Sequence, residues 1–437
     1  MPFLHIRTQR PVGQGFFHTA MVSGAGGPAF CYVYDCGAMP KYRQARSNAI
    51  KAYRDARENM RPLDVLFLSH AHADHVNGVA QLPMGFAVDT IMLPLLSVED
   101  RLIAFARSAA EAPASARDQF YRDFIADPAA ALSRFAPRQI LFVKPGSPDE
   151  GAPGGGGEEI GPYDEGGDQI GGDPRDGADR DRWKLVGRGR AENRRTVTGG
   201  GKGKASTTTD IATIPDSRAI AVDVADHLGP WLLAPYVDPG VVAERRRFFR
   251  VLRRQEGFDK RSLAAPDRLS KILSDKNEIA ILVGAYKAVG RDLNVTSLCL
   301  YSGPAQDPSI QHFAWCSASM TNGRWNWFAD GPRIAWLATG DAALREKRRV
   351  HDFAAHYGVH LGKVGTLTLP HHGSDNNADD KLLEKVKPSW CVASADRFST
   401  WRHPGSGIMH LMASRSIPMA LVTSSNASEF AEVVHVD

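Results

Sequence analysis

Residues 68–75 read "LSHAHADH" and place His70, His72, Asp74 and His75 within six positions, directly after the apolar run "DVLFLS". Imidazole and carboxylate are borderline-to-hard ligands suited to zinc, manganese or iron. At the end of an extended strand, side chains two apart point the same way. His70 and His72 therefore converge on one point. A turn into a helix immediately afterwards lets Asp74 and His75 face a second point close by. Two ions roughly 3.5–4 Å apart share a bridging hydroxide in such sites. The competing reading, a solvated His-rich turn, fits poorly with a place at the end of a buried strand.

The elements that must hold this cluster are legible from pattern. "FFHTAMV" and "FCYVYDCG" are β-branched and aromatic, with Gly-rich turns between, and predict strands. Residues 41–60 predict a helix, and "DVLFLS" and "TIMLPL" predict buried strands. Helical stretches follow at about 97–112 and 115–135, then the strand "QILFVKP". From "VTSLCLYS" onward, the strands "HFAWCSA", "RIAWLATGD", "GTLTLP", "SWCVASA" and "PMALVTSS" alternate with helices at about 342–356, 379–386 and 404–414. Strands first, then alternating helix and strand, predict two sheets packed face to face with helices outside.

Composition sets the limits. The 437 residues carry 43% hydrophobic side chains, enough for a large core, and a net charge of +4, which permits a nucleic-acid partner without demanding one. The start lacks a secretory apolar core and no run of about 18 apolar residues occurs, so a soluble protein with no membrane partner is expected. Five cysteines (Cys31, Cys36, Cys299, Cys316, Cys391) without CxxC pairs read as reduced and buried, as in a cytoplasm. Residues 145–210 are Gly-rich, acidic then basic, and read as a disordered stretch. It sits inside an insertion, 96–292, that separates 1–95 from 293–437. The insertion is a candidate contact for a protein partner. In "VVAERRRFFRVLRRQEG", Arg246, Arg250, Arg253 and Arg254 share a helical face. That face reads as a solvated surface or as a phosphate-tracking one. No GxSxG or Walker-type loop occurs, so serine catalysis and nucleotide-driven work have no support.

"HAHADH" matches the HxHxDH signature of the metallo-β-lactamase superfamily. "LATGD" (337–341), "TLPHHGS" (368–374) and "WRHPGSGIMHLM" (401–412) resemble its later segments in order. With "VGQG" (12–15) and "NVTSLCL" (294–300), the combination resembles the hydrolase domain of ComEC-type DNA-uptake proteins, without their membrane channel, and is similar to choline-phosphate esterases. The resemblance implies an α/β, four-layer αββα fold carrying a large, partly disordered insertion. It implies two divalent ions, zinc or manganese. His70, His72, Asp341 and solvent would hold the first, since "RDLNVTS" offers Asn294 where most members have a histidine. Asp74, His75, Asp341 and one of His371 or His372 would hold the second, with His372 favoured as ligand and His371 as a neighbouring contact to the leaving or phosphoryl oxygen. Asp74, His371 and His403 become candidate catalytic residues. The helix after "HPGSG" is expected to aim its N-terminus at the site and attract phosphate. Asp35 is expected to orient a ligand histidine, Cys36 to pack, and His18 to be a strand residue. Ser374 fits a phosphate contact or a turn equally.

The resulting expectation is a metal-dependent phosphodiesterase, a nuclease acting on DNA or RNA. The other readings are a small-molecule hydrolase of a choline-phosphate ester, cyclic nucleotide or lactone, and a partner-gated subunit.

Overall fold

Neighbouring residues of one strand go to different cores. Tyr32 and Tyr34 enter one cluster, Cys31 and Val33 another; Leu298 and Leu300 enter the first, Cys299 and Tyr301 a third. Period-two alternation with both faces apolar is what a sheet covered on both sides requires. The computed structural model describes residues 3–24, 29–57, 62–83, 87–147, 149–156, 183–199, 207–225, 229–239, 242–255, 257–263, 265–290, 296–306, 313–318, 326–330, 333–398 and 402–436. Asn294 lies outside them.

Among the described residues two sheets form. The eleven-stranded sheet runs in the order Asn326–Asp330, Phe313–Ala318, Phe430–Val436, Phe3–Gln9, Gly15–Ser23, Phe30–Ala38, Leu63–Phe67, Val88–Pro94, Gln139–Lys144, Thr207–Pro215, Glu192–Gly199. The eight-stranded sheet runs Met419–Val422, Trp390–Ser394, Val364–Thr368, Ala335–Ala338, Ser297–Pro304, Gly229–Asp238, Arg218–Ala225, Trp183–Gly187. One core fills the space between them, around Tyr32, Phe67, Trp231 and Trp336. The second joins the larger sheet to helices including Arg43–Asp55, Val98–Glu111 and Lys276–Val289. The third joins the smaller sheet to Lys347–Tyr357, Asp380–Val386 and Ser406–Ser414. Three cores separate four layers, αββα, as expected.

The expectation of disorder across 145–210 is corrected in part. Trp183–Gly187, Glu192–Gly199 and Thr207–Pro215 are strands, because Trp183, Leu185, Ile211 and Ile214 face the cores while the charged residues between them face out. Residues 149–156 pack on the helix Lys347–Tyr357, where the Ala152 amide donates to the His356 carbonyl at 2.8 Å. The remaining parts, 148, 157–182 and 200–206, lie outside the described residues. The stretch 96–292 thus contributes strands to both sheets.

The sheets are clasped by a buried ion pair. Arg7 Nε donates to Glu432 Oε2 at 2.7 Å within the larger sheet, and Arg7 Nη1 donates to the Ile334 carbonyl at 2.9 Å across the interface. Beside it His5 and His18 are buried, and all four of their ring nitrogens lack a hydrogen-bond partner among the described residues. The His18 ring lies flat on Trp336, with centroids 3.8 Å apart. Burial first, then the Arg7 charge, hold both imidazoles well below their ordinary pKa.

Both rings are neutral in the folded and unfolded chain above pH about 6.5. Below it the unfolded chain takes up protons that the folded one resists. Stability should therefore fall by about 1.4 kcal/mol per pH unit for each ring as the pH drops below 6.5. Urea melts between pH 7.5 and 5 test this. His18→Phe, which keeps the stack on Trp336, should remove one ring's share of the slope; an unchanged slope would exclude His18 as a source.

Candidate metal centre

The ligand-type residues sit at the carboxyl ends of strands from both sheets, where loops can converge. Leu63–Phe67 leads to His70 and His72, and the short helix Ala73–Val76 carries Asp74 and His75. Ala335–Ala338 leads to Asp341, and Val364–Thr368 leads to His371 and His372. The two sheets meet directly here. The Leu298 amide donates to the Ser69 carbonyl across them at 2.7 Å, and within the smaller sheet the Asp341 amide donates to Ser297 Oγ at 3.1 Å.

Asp341 is the hub. Its Oδ2 lies 3.5 Å from His70 Nε2, 3.4 Å from His72 Nδ1 and 3.7 Å from His371 Nε2. Its Oδ1 lies 3.5 Å from His75 Nε2. His70 Nε2 and His72 Nδ1 are 3.0 Å apart, so these two rings and Asp341 make one compact triad. His70, His75 and Asp341 make a second grouping with metal-ligand spacing, and Asp74, His75 and His372 a third. His372 Nε2 is 3.2 Å from Asp74 Oδ2. His75 therefore belongs to both the second and the third of these groupings.

The donor set fits divalent ions. Asp341 Oδ1, His75 Nε2 and His72 Nε2 are buried without a hydrogen-bond partner among the described residues. A buried polar atom left unsatisfied costs roughly 1–3 kcal/mol, more when charged, and a cation is the partner that carboxylate and imidazole lone pairs share.

Outer contacts fix each ring. Asp35 accepts from the Ser69 amide at 2.6 Å and from His75 Nδ1 at 2.7 Å, which turns His75 Nε2 inward. Asp35 thus contacts one of the candidate ligand histidines. His372 Nδ1 donates to the Ser394 carbonyl at 2.7 Å, and Ser394 Oγ donates to the Gly15 carbonyl at 2.8 Å. His371 Nδ1 donates to Asn377 Oδ1 at 2.9 Å, while Asn377 Nδ2 donates to the Asp341 and Ala342 carbonyls. The His371 Nε2 lone pair therefore faces the site. Asp35, His371 and His372 all hold left-handed backbone conformations, with φ of 57°, 50° and 59°. Such strain in residues with a Cβ persists only where surroundings impose it. Gly37 is required by proximity, since a Cβ there would lie 2.5 Å from the Asp74 carbonyl carbon.

Several contributors carry no local sequence signal. Arg107, on the helix Val98–Glu111, is buried and donates from Nη2 to His371 Nε2 at 2.6 Å, and from Nε to Glu111 Oε1 at 2.9 Å. Ser108 Oγ accepts from the Ala73 amide at 3.1 Å, and the Tyr121 hydroxyl donates to the Ala71 carbonyl at 2.9 Å. Asp238 Oδ2 accepts from the Ala343 amide at 2.8 Å and steadies the loop after Asp341. Residues of 96–292 therefore brace the site from two sides.

His403 stands beside the cluster, its ring centroid 5.6 Å from that of His371 and 6.4 Å from that of His372. The phosphate-attracting helix terminus expected after it is corrected. Asp375 already occupies that end, accepting from the Ile408 amide at 2.8 Å and the Gly407 amide at 3.3 Å. Ser374 Oγ accepts from the Asn376 amide at 3.2 Å, the turn reading.

Charge is organised around the cluster. Burial opposes ionisation of Asp341, but His371, His70, His72 and His75 hold its carboxyl well below the usual range. Burial and then Arg107 push His72 down to about 4, leaving its lone pairs free to ligate. Burial and His372 likewise push His403 down to about 4. For His75, burial is outweighed by Asp35, Asp74 and Asp341, which raise it to about 9 without metal. Burial pushes Glu111 up to about 7 against the pull of Arg107.

Asp35→Asn should lower divalent-metal affinity by about 10–100-fold, the usual effect of removing an outer partner of a ligand histidine. Competition with a chelating dye measures it, and unchanged affinity would remove Asp35 from the ligand-orienting role.

Residues 16–173 match the model of the metallo-beta-lactamase superfamily. Recombination protein 2 of Haemophilus influenzae (strain ATCC 51907 / DSM 11121 / KW20 / Rd) is 29% identical over 80 residues, which is 18% of this chain and 9% of that protein. The chain therefore aligns with a small part of that relative's length, and the similarity supports the ComEC-type resemblance. Among the described residues no helix is long and apolar enough to cross a membrane. The matched segment, a little over a third of the chain, together with the paired sheets and the His/Asp cluster makes this chain similar to the metallo-hydrolases of the metallo-β-lactamase superfamily.

Proposed function

We propose that the chain is a metal-dependent phosphodiesterase, a nuclease cleaving DNA or RNA. The observation that carries the reading is the set of buried polar atoms without a hydrogen-bond partner among the described residues on His72, His75 and Asp341, within a cluster that also contains His70, Asp74 and His372. In this reading His70, His72 and Asp341 would hold one ion, and Asp74, His75, His372 and Asp341 the other. Zinc or manganese there would supply Lewis acidity and lower the pKa of a bound water.

The chain's own groups do the rest. Asp35, Ser394 and Asn377 keep His75, His372 and His371 in one tautomer and one orientation. Arg107 brings fixed positive charge to the edge of the site, where phosphoryl oxygens gain negative charge during hydrolysis; guanidinium is well matched to them. Glu111 holds Arg107 in place. His371 accepts from Arg107 through Nε2 and so positions that guanidinium for a phosphoryl oxygen, and His403 lies near enough to meet a leaving group. The name of the Haemophilus influenzae relative, a recombination protein, favours nucleic acid over a small ester. The buried cysteines Cys31, Cys36, Cys299 and Cys391, none of them in a disulfide, support a cytoplasmic setting.

Metal analysis of the purified protein, beside assays on bis(p-nitrophenyl) phosphate and on single- and double-stranded DNA and RNA with zinc or manganese, tests the proposal. Two ions per chain and cleavage of nucleic acid are expected. His70→Ala and Asp74→Ala should each lower turnover by about 100-fold or more, since metal charge stabilisation contributes several kcal/mol. Arg107→Gln should lower kcat by about 100-fold with metal content retained. A metal-loaded protein that hydrolyses a choline-phosphate ester, cyclic nucleotide or lactone while leaving nucleic acid intact would overturn the nuclease reading. No hydrolysis of any of these would overturn the phosphodiesterase reading as well.

A further inference from the structure

The helix Val98–Glu111 has two working ends. Near its C-terminus Arg107 faces the metal-type cluster. At its N-terminus, Ser97 and Glu99 form one wall of an open cleft of about 660 Å³ whose other wall is the helix Val242–Leu252. Arg245, Arg246, Arg250, Arg253 and Arg254 line that cleft, against Glu99 as the one carboxylate among its lining residues. Arg245 is partly engaged, 3.3 Å from Asp100. Arg246, Arg250, Arg253 and Arg254 are exposed.

Five guanidinium groups around one concavity repel one another, so the arrangement favours a polyanion that neutralises them together. The apolar side of the same helix is already used. Phe248, Phe249 and Leu252 are buried in the core shared with Val98–Glu111 and Lys276–Val289. That leaves no apolar face for a bilayer, which an interfacial helix needs. A concave, arginine-lined surface with its hydrophobic side turned inward suits a phosphate backbone. The spacing agrees. Glu99 and Arg107 are eight residues apart on one helix, about 12 Å at 1.5 Å per residue. A nucleic-acid strand running along that helix would cover such a span in a few nucleotides.

We propose that the arginine cleft between Val98–Glu111 and Val242–Leu252 is a binding site for the phosphate backbone of a nucleic-acid strand, a few nucleotides from the bond that the metal centre cleaves. The inference deepens the phosphodiesterase reading and rests on it for the position of the cleaved bond. It makes this enzyme selective for polymers over small phosphodiesters.

The test separates binding from chemistry. Anisotropy of labelled 20-nucleotide single- and double-stranded oligonucleotides is measured in EDTA across a salt series, for the intact chain and for Arg250→Glu/Arg253→Glu. The intact chain should bind at least one of the two forms. The variant should bind more than tenfold more weakly at low salt, with the slope of log K against log salt reduced by about 1.4 on single strands or 1.8 on duplex, two phosphate contacts' worth. Hydrolysis of bis(p-nitrophenyl) phosphate by the metal-loaded variant should equal that of the intact chain and so reports folding. Arg250→Gln/Arg253→Gln should show an intermediate loss of binding. Unchanged affinity and slope in the charge-reversed protein would overturn the proposal, as would binding to anionic lipid vesicles with none to either oligonucleotide. Loss of bis(p-nitrophenyl) phosphate hydrolysis in the intact chain would instead remove the phosphodiesterase reading and leave the binding result standing.

Discussion

A buried carboxylate ringed by imidazoles governs this structure. Asp341 lies within 3.7 Å of ring nitrogens of His70, His72, His75 and His371. A cation is the partner that would reconcile lone pairs so arranged in a protein interior. Without one, atoms such as Asp341 Oδ1 and His75 Nε2 are buried and unsatisfied, a burden that few native sites carry. The fold must hold the cluster against that cost.

It does so by building the cluster where two sheets touch. The larger sheet supplies residues 70–75 and the smaller supplies Asp341, His371 and His372. Backbone contact between Ser69 and Leu298, and the Arg7–Glu432 pair reaching Ile334, fix the sheets against each other. Left-handed conformations at Asp35, His371 and His372 are tolerated because each side chain is tied to a second element. Rigidity of this kind suits hydrolysis, in which preorganised charge does more than motion.

Much of this was legible in the sequence. Runs of β-branched and aromatic residues such as 30–37, bounded by Gly-rich turns, gave away the strands, and their lack of polar alternation agrees with sheets covered on both faces. The ligand-type residues announced themselves by type and spacing in 70–75, and by motif order for Asp341, His371 and His372. Residues 183–199 and 207–215 were harder. Their arginines and threonines read as unstructured, yet a few inward-facing residues such as Trp183 and Ile211 suffice when neighbouring strands offer a finished edge. Arg107, Tyr121 and Asn377 were invisible because they act through contacts made only on folding; nothing near Arg107 in the chain hints that His371 lies 2.6 Å away. The helix after His403 misled for the same reason. Its sequence start is open, but Asp375, thirty-three positions before Ile408, closes it.

The central claim is that this cluster is a dinuclear metal site. Anomalous diffraction from crystals soaked in manganese tests it most directly. The account predicts two anomalous peaks about 3.5–4 Å apart, with Asp341 shared between them, His70 and His72 on one side and Asp74 and His372 on the other. Peaks elsewhere in the molecule, or none within bonding distance of Asp341, would contradict it.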